Sequence, residues 1–168
     1  MPRTAWNPIP NAARVPTVGT SMKNPLDIPS AYFTTGGVAR AVTIAASDEN
    51  VDIVLFEFMD RLHVFFKRRN DLEGYHAILE EVLSAAKYVR DVLQKPFLVA
   101  LPPSFYEEEG IKLKHLFQRE GFPVFPSIDR SARAISNVLK YHDFLERKEP
   151  QEKQLDPGNG SFSLYLDG

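Results

Sequence analysis

Two adjacent glycines, Gly36 and Gly37, open a helical run and are the best candidate anion site in this sequence. Glycines leave the backbone amides accessible, and a helix N-terminus carries a partial positive charge that favours phosphate. Thr34 and Thr35 place hydroxyl groups beside those amides. The alternative interpretation is a turn in which glycine permits close packing, because the spacing of a longer phosphate-binding loop is lacking.

A second polar group follows the first predicted strand. Arg61 and His63 are expected at the edge where the carboxyl ends of parallel strands meet, which is the usual ligand edge. A histidine there could act in acid–base chemistry or contact phosphate, or it could be a solvated loop residue. Three basic residues at 67–69 follow two phenylalanines, a composition that suits a nucleotide or the phosphates of CoA. A solvated loop or a subunit contact is the alternative for this basic loop.

Several kinds of chemistry are excluded or lack support. The chain has no cysteine, which excludes thiolate nucleophiles and disulfides. No two histidines have metal-ligand spacing within one predicted element, so no metal site is predicted. Ser104 follows a strand without a Gly-x-Ser-x-Gly elbow, and no nucleophile and base can be paired, so no catalytic residue is predicted. His76 and His142 are expected to pack beside or on inner helix faces, and His115 is expected to be solvated.

The composition fits one domain of 168 residues. A net charge of −2 gives no electrostatic reason to expect nucleic acid or an anionic membrane as a partner. No apolar run approaches the roughly 20 residues of a membrane span, and no signal-peptide core is recognisable. A cytoplasmic location is therefore expected.

Strand and helix patterns alternate along the chain. Helices are predicted at 38–46, about 72–95, 107–120 and from 131 onward, and buried strands at 51–58, 97–101 and 121–126. Such alternation predicts an α/β fold, a three-layer flavodoxin-like parallel sheet with right-handed crossovers. Only three strands are evident where a complete sheet of this kind has about five, so the sheet is predicted to be truncated.

The two ends of the chain differ from the middle. Residues 1–30 contain six prolines, which predicts an extended arm, with Trp6 as an anchor on its own domain or on a neighbouring subunit. Residues 31–149 form the predicted flavodoxin-like domain. The tail, 150–168, has a turn at 156–160 before an alternating segment that would suit an added edge strand.

Four segments in this order resemble a known family. They are Asn-Pro-Leu-Asp-Ile at 24–28, Asp-Glu-Asn-Val-Asp-Ile at 48–53, Lys-Pro-Phe-Leu-Val at 95–99, and Gly-Phe-Pro-Val-Phe at 121–125 with Ala-Arg-Ala at 132–134. Together they resemble the C-terminal flavodoxin-like subdomain of NDP-forming (ADP-forming) acyl-CoA synthetases, the succinyl-CoA synthetase-like superfamily. The resemblance covers roughly residues 23–148.

The resemblance implies a part in acyl-CoA/ATP interconversion, as an accessory subunit or detached subdomain of an NDP-forming acid–CoA ligase. It implies that the assembled enzyme uses CoA and ATP/ADP with Mg. It also implies that the partners of this chain are CoA-binding and ATP-grasp subunits, or further copies of the chain itself. Asn24 and Asp27 match positions near the family's inter-subdomain surface and are interface candidates. No counterpart of the phosphohistidine segment is present, and Met59-Asp60-Arg61 stands where a related subunit has a glycine pair, so this chain alone is not expected to make a thioester.

The alternative function is a stand-alone nucleotide- or CoA-binding module, or a scaffold, without catalytic activity. An unpaired sheet edge or exposed apolar face would favour the subunit hypothesis. A completed sheet with an open pocket at the strand ends would favour the binding module.

Overall fold

The computed structural model describes Ser21 and residues 23–59, 61–103 and 106–152, with side chains described as far as residue 147. These residues form five α-helices and three strands after a short 3₁₀ turn, Pro29–Phe33. In chain order the elements are α1 (Gly37–Ser47), β1 (Val54–Glu57), α2 (Arg61–Arg68), α3 (Leu72–Asp91), β2 (Phe97–Ala100), α4 (Glu107–Arg119), β3 (Val124–Phe125) and α5 (Ile128–Glu152).

The three strands form one parallel sheet in the order β1-β2-β3. Val54 lies opposite Phe97 in the first pair, and Val99 lies opposite Val124 in the second. The predicted α/β fold, a truncated flavodoxin-like parallel sheet, is therefore confirmed. Most of the extended arm predicted over residues 1–30, namely residues 1–20 and residue 22, lies outside the described residues, as does the predicted edge strand in the tail beyond residue 152.

Helix α3 is the centre of the core. It contributes seven buried side chains, recurring at three- and four-residue spacing from Tyr75 to Val89. Helix α1 contributes Val38, Val42 and Ala46, which lie one turn apart on a single face. Each buried Val, Leu or Phe stabilises the fold by roughly 1.5–3 kcal/mol relative to an exposed one, so this packing fixes α1 and α3 together.

The connection from α3 to β2 begins earlier than the sequence pattern predicts. Helix α3 has 20 residues rather than about 24, and Gln94 takes a left-handed conformation with φ of 55°. This turn brings the ammonium group of Lys95 onto the end of α1. The Lys95 Nζ donates to the carbonyl oxygens of Ala46 at 2.7 Å and Asp48 at 2.8 Å. A lysine thus caps the C-terminal end of α1, where a positive charge is favourable.

The basic segment after β1 is a helix, so the prediction of a loop is wrong. Residues Arg61–Arg68 form α2, which buries Leu62 and Phe66, one turn apart, against the core. An eight-residue helix is too short to be stable alone, and packing of this apolar face stabilises it. His63 accordingly lies on a helix rather than in a loop.

The chain divides into two compact units, residues 1–131 and 132–168, and the second begins within α5. The start of α5 is capped by Ser127, whose Oγ accepts from the amide of Arg130 at 3.2 Å. The prediction that His142 faces inward is wrong: it is exposed, and its Nδ1 lies 3.3 Å from a carboxylate oxygen of Glu146. Among the described helices, none has the length and apolar character that crossing a membrane requires.

The cap on α1 gives a stability prediction. Replacing Lys95 with Met removes both charge-assisted hydrogen bonds but keeps most of the side chain's volume, so the free energy of unfolding should fall by about 1–2 kcal/mol. Lys87→Met is the control, because Lys87 is exposed and forms a surface salt bridge with Glu120, and it should change stability by less than about 0.5 kcal/mol. Urea unfolding measures both; equal effects would contradict the capping role.

Candidate ligand-binding site

One face of α2 lines an open cleft of about 460 Å³. Arg61, Phe65 and Arg68 lie on this face at four- and three-residue spacing, with Val64 beside them and Arg69 just beyond the helix. Tyr106, from the segment before α4, closes the other side. Helical spacing therefore gives α2 two faces, an apolar one in the core and an arginine-rich one in the cleft.

The cleft lies near the carboxyl ends of the strands. Helix α2 follows the end of β1, and Tyr106 follows the end of β2. In open parallel sheets this edge is where ligands bind, because the loops leaving neighbouring strands enclose a crevice. The volume falls within the range of small-molecule sites, roughly 300–1,000 Å³.

Three arginines, Arg61, Arg68 and Arg69, contribute to a lining that is mainly apolar. Among the described residues, no carboxylate pairs with Arg61, Arg68 or Arg69. The guanidinium of Arg69 lies over the ring of Phe65, 4.1 Å from its centroid, which orients it without neutralising it. A guanidinium group presents its donors in a planar fork, which suits phosphate or carboxylate oxygens.

The glycine pair has a different environment. The amide of Gly36 donates to Oε1 of Glu81 at 2.7 Å, so an internal carboxylate from α3 occupies the position that an external anion would take. Gly37 lies against the 3₁₀ turn, where an added Cβ would clash with the carbonyl oxygen of Ala31. Thr34 Oγ1 bonds the carbonyl of Ser30, and Thr35 is exposed. A ligand role for Thr35, Gly36 and Gly37 stays a prediction, one that requires Glu81 to move.

His63 and Arg61 are on the same helix but in different surroundings. Arg61 lines the cleft, whereas the half-buried His63 ring packs edge-on against Tyr75 with centroids 5.1 Å apart. The Tyr75 hydroxyl donates to Glu109 of α4 at 2.7 Å. Burial, reinforced by this carboxylate, raises the pKa of Tyr75 well above its usual value. The His63 ring thus packs against a contact that joins α3 to α4.

The interface candidates are only partly described. Asp27 exchanges two backbone hydrogen bonds with Ser21, at 2.8 and 2.9 Å, which closes a short turn around the exposed Asn24. Trp6 lies outside the described residues, as does Ser104. The roles of Trp6, Asn24 and Asp27 in an interface stay predictions.

Sequence reasoning found most of the cleft but not its far wall. It singled out Arg61 and the basic loop with its phenylalanines, yet it missed Tyr106. The position of Tyr106 in the sequence could have indicated it. Tyr106 lies between a buried strand and an acidic helix start, where parallel sheets place residues that contact ligands. Within the described ranges, no three or more His, Asp or Glu side chains are grouped so that they could hold a metal ion.

Comparisons with protein-family models, with curated proteins and with solved structures gave no match.

The contact between Gly36 and Glu81 predicts a structural role for that carboxylate. Glu81→Ala should lower the free energy of unfolding by about 1–2 kcal/mol, because the first turn of α1 loses an anionic acceptor. Glu80→Ala, at an exposed neighbouring position on α3, should change it by less than about 0.5 kcal/mol. Urea denaturation compares the two; equal losses would show that the Gly36 contact contributes nothing.

Tyr75 predicts a pH dependence of stability. Its pKa is raised in the folded state, so its contribution is fully present below about pH 10 and is lost as the unfolded phenol ionises at higher pH. Tyr75→Phe should be less stable than the wild type by about 1–2 kcal/mol at pH 7, through loss of the bond to Glu109. The difference in stability between the two proteins should narrow as the pH rises above about 10 in urea titrations. A gap that is constant with pH would contradict the assignment.

Proposed function

We propose that this protein is a ligand-binding module that holds a phosphate-bearing small molecule, of nucleotide or CoA type, in the arginine-lined cleft on α2. The observation that carries the proposal is the group of three guanidiniums without a carboxylate partner among the described residues. Three like charges in one cleft repel one another unless an anion joins them. A phosphate ester supplies that anion.

The lining supports phosphate in particular. Arginine presents paired N–H groups that match two phosphate oxygens at once. The exposed Tyr106 ring and the half-buried Phe65 ring give the organic part of the ligand an apolar contact. Arginine remains protonated at all ordinary pH values, so these side chains bind and orient a ligand rather than transfer protons.

A second candidate is the accessory subunit or subdomain of an NDP-forming acyl-CoA synthetase, acting in the cytoplasm with CoA-binding and ATP-grasp partners. The observation that favours it is the outer edge of β1, which pairs with no strand among the described residues. An open strand edge is a ready surface for pairing with another chain and favours the subunit, whereas the open cleft near the strand ends favours the binding module. In this case the cleft would hold part of CoA or ATP/ADP at a subunit boundary.

One pair of experiments separates the two candidates. Isothermal titration of the purified chain with ADP, CoA and pyrophosphate tests whether it binds alone. Affinity purification from the native extract, with identification of the captured chains, tests for a CoA-binding or ATP-grasp partner. Only if such a chain is recovered, and the recombined complex forms ATP from acyl-CoA, does the subunit function hold.

The binding site predicts a specific charge dependence. Arg68→Ala should weaken pyrophosphate binding about tenfold or more at low salt, because one charge-assisted contact is lost. Lys67→Ala removes the same charge from an adjacent exposed position outside the cleft lining and should weaken binding less than about threefold. Titration calorimetry measures both.

Arg68→Lys extends this test, since it keeps the charge and loses the forked donors. It should bind more weakly than the wild type and more tightly than Arg68→Ala. If Lys67→Ala weakened binding as much as Arg68→Ala, the effect would be the general field of the surface, and the cleft would not be the site.

A further inference from the structure

A second open cleft adjoins the first. It has a volume of about 290 Å³, lies where β2 and β3 end, and shares Tyr106 with the arginine-lined cleft. Its walls, like those of the first cleft, are mainly apolar, but their described residues include no arginine: Leu101, Pro102, Ile111, Val124, Phe125 and Pro126 contribute the apolar part. It is smaller than most independent ligand sites, which suggests an extension of the neighbouring cleft rather than a site of its own.

One of the α4 residues that line this second cleft is a glycine, Gly110. Glu107, Gly110, Ile111 and Lys114 share the helix face that lines it, at three- and four-residue spacing. A Cβ built on Gly110 would meet no atom within 4 Å, so packing within the described residues does not require glycine there. Glycine inside a helix is unfavourable relative to alanine. The missing side chain leaves room beside Ile111, which is itself 48% exposed.

We propose that the second cleft receives an apolar aliphatic group of the ligand whose phosphate binds the arginines. Within the proposed nucleotide or CoA type, this selects a phosphate ester with an aliphatic organic group over a simple nucleotide. The inference rests on the proposed function of the first cleft. Tyr106 lies at the junction, where the ester linkage passes from one cleft to the other.

The charges fix the direction of the ligand. The three arginines line only the first cleft, whereas Glu107 lines the second and disfavours a phosphate there. Lys114 lies on the same face of α4 and partly offsets that charge without adding an arginine fork. A phosphate ester therefore binds with its head against α2 and its chain against α4.

The test uses a series of probes with one head group: inorganic phosphate, ethyl phosphate, butyl phosphate and hexyl phosphate, with ribose 5-phosphate as a hydrophilic control. On the wild-type protein, affinity by titration calorimetry should rise about twofold to fourfold per methylene buried and then level off. Ribose 5-phosphate should bind no more tightly than ethyl phosphate.

Variants at Gly110 locate the chain. Gly110→Leu should fill the cleft, so that affinity no longer rises with the length of the alkyl chain. The affinity of this variant for inorganic phosphate should stay within about twofold of the wild-type value. Gly110→Ala, which adds one methyl group in open space, should raise the melting temperature and keep most of the gain. Arg68→Ala should weaken the binding of every alkyl phosphate by the same factor, because the contacts of the phosphate group are separate from those of the alkyl chain.

Each outcome is decisive. If inorganic and alkyl phosphates bind with equal affinity, the apolar extension is overturned and the arginine site stands. If the gain with chain length survives in a folded Gly110→Leu protein, the chain lies elsewhere, and the inference is likewise overturned. If no phosphate compound binds the wild-type protein, the proposed function itself fails, and the inference fails with it.

Discussion

The packing of α3 is the constraint on which the rest of this structure depends. Parallel neighbours require a crossover, and α3 is the main element of the crossover between β1 and β2. Three polar side chains of α3 bond neighbouring helices. Glu81 accepts from the amide of Gly36 at the start of α1, and the Tyr75 hydroxyl donates to Glu109 of α4. Arg90 donates to the carbonyl oxygen of Glu120, at the end of α4, at 2.7 Å. A shift of α3 would therefore move α1 and α4 together.

The geometry of the candidate site depends on that packing. Phe66 of α2 lies close to α3 at Gly74, where an added Cβ would approach its ring to 2.8 Å. This close approach sets the rotation of α2, and the rotation carries Arg61 and Arg68 into the cleft, opposite the segment that leads into α4. The cleft is thus a consequence of core packing on the opposite face of the same short helix.

The sequence predicts the fold well because its signals are local. Apolar strands at 51–58 and 97–101, and the long stripe of α3, are readable from hydrophobic period alone. The errors arise where tertiary contacts decide. Helix α2 is short and rich in charge, so its stability depends on burial of Phe66 rather than on propensity. Glu81 lies 45 residues from Gly36 in the sequence, and no local pattern reveals that its carboxylate accepts a hydrogen bond from the Gly36 amide.

Helix dipoles explain why arginines would have to bind the ligand here. In open parallel sheets phosphate often rests on a helix N-terminus beyond a strand. Glu81 already occupies that position on α1, and α4 begins with three glutamates at 107–109 that satisfy its own dipole and repel external anions. With the starts of α1 and α4 neutralised from within the chain, attraction for phosphate beside these two helices must come from side chains. Helix α2 buries one face in the core, and the arginines on its opposite, exposed face provide that attraction.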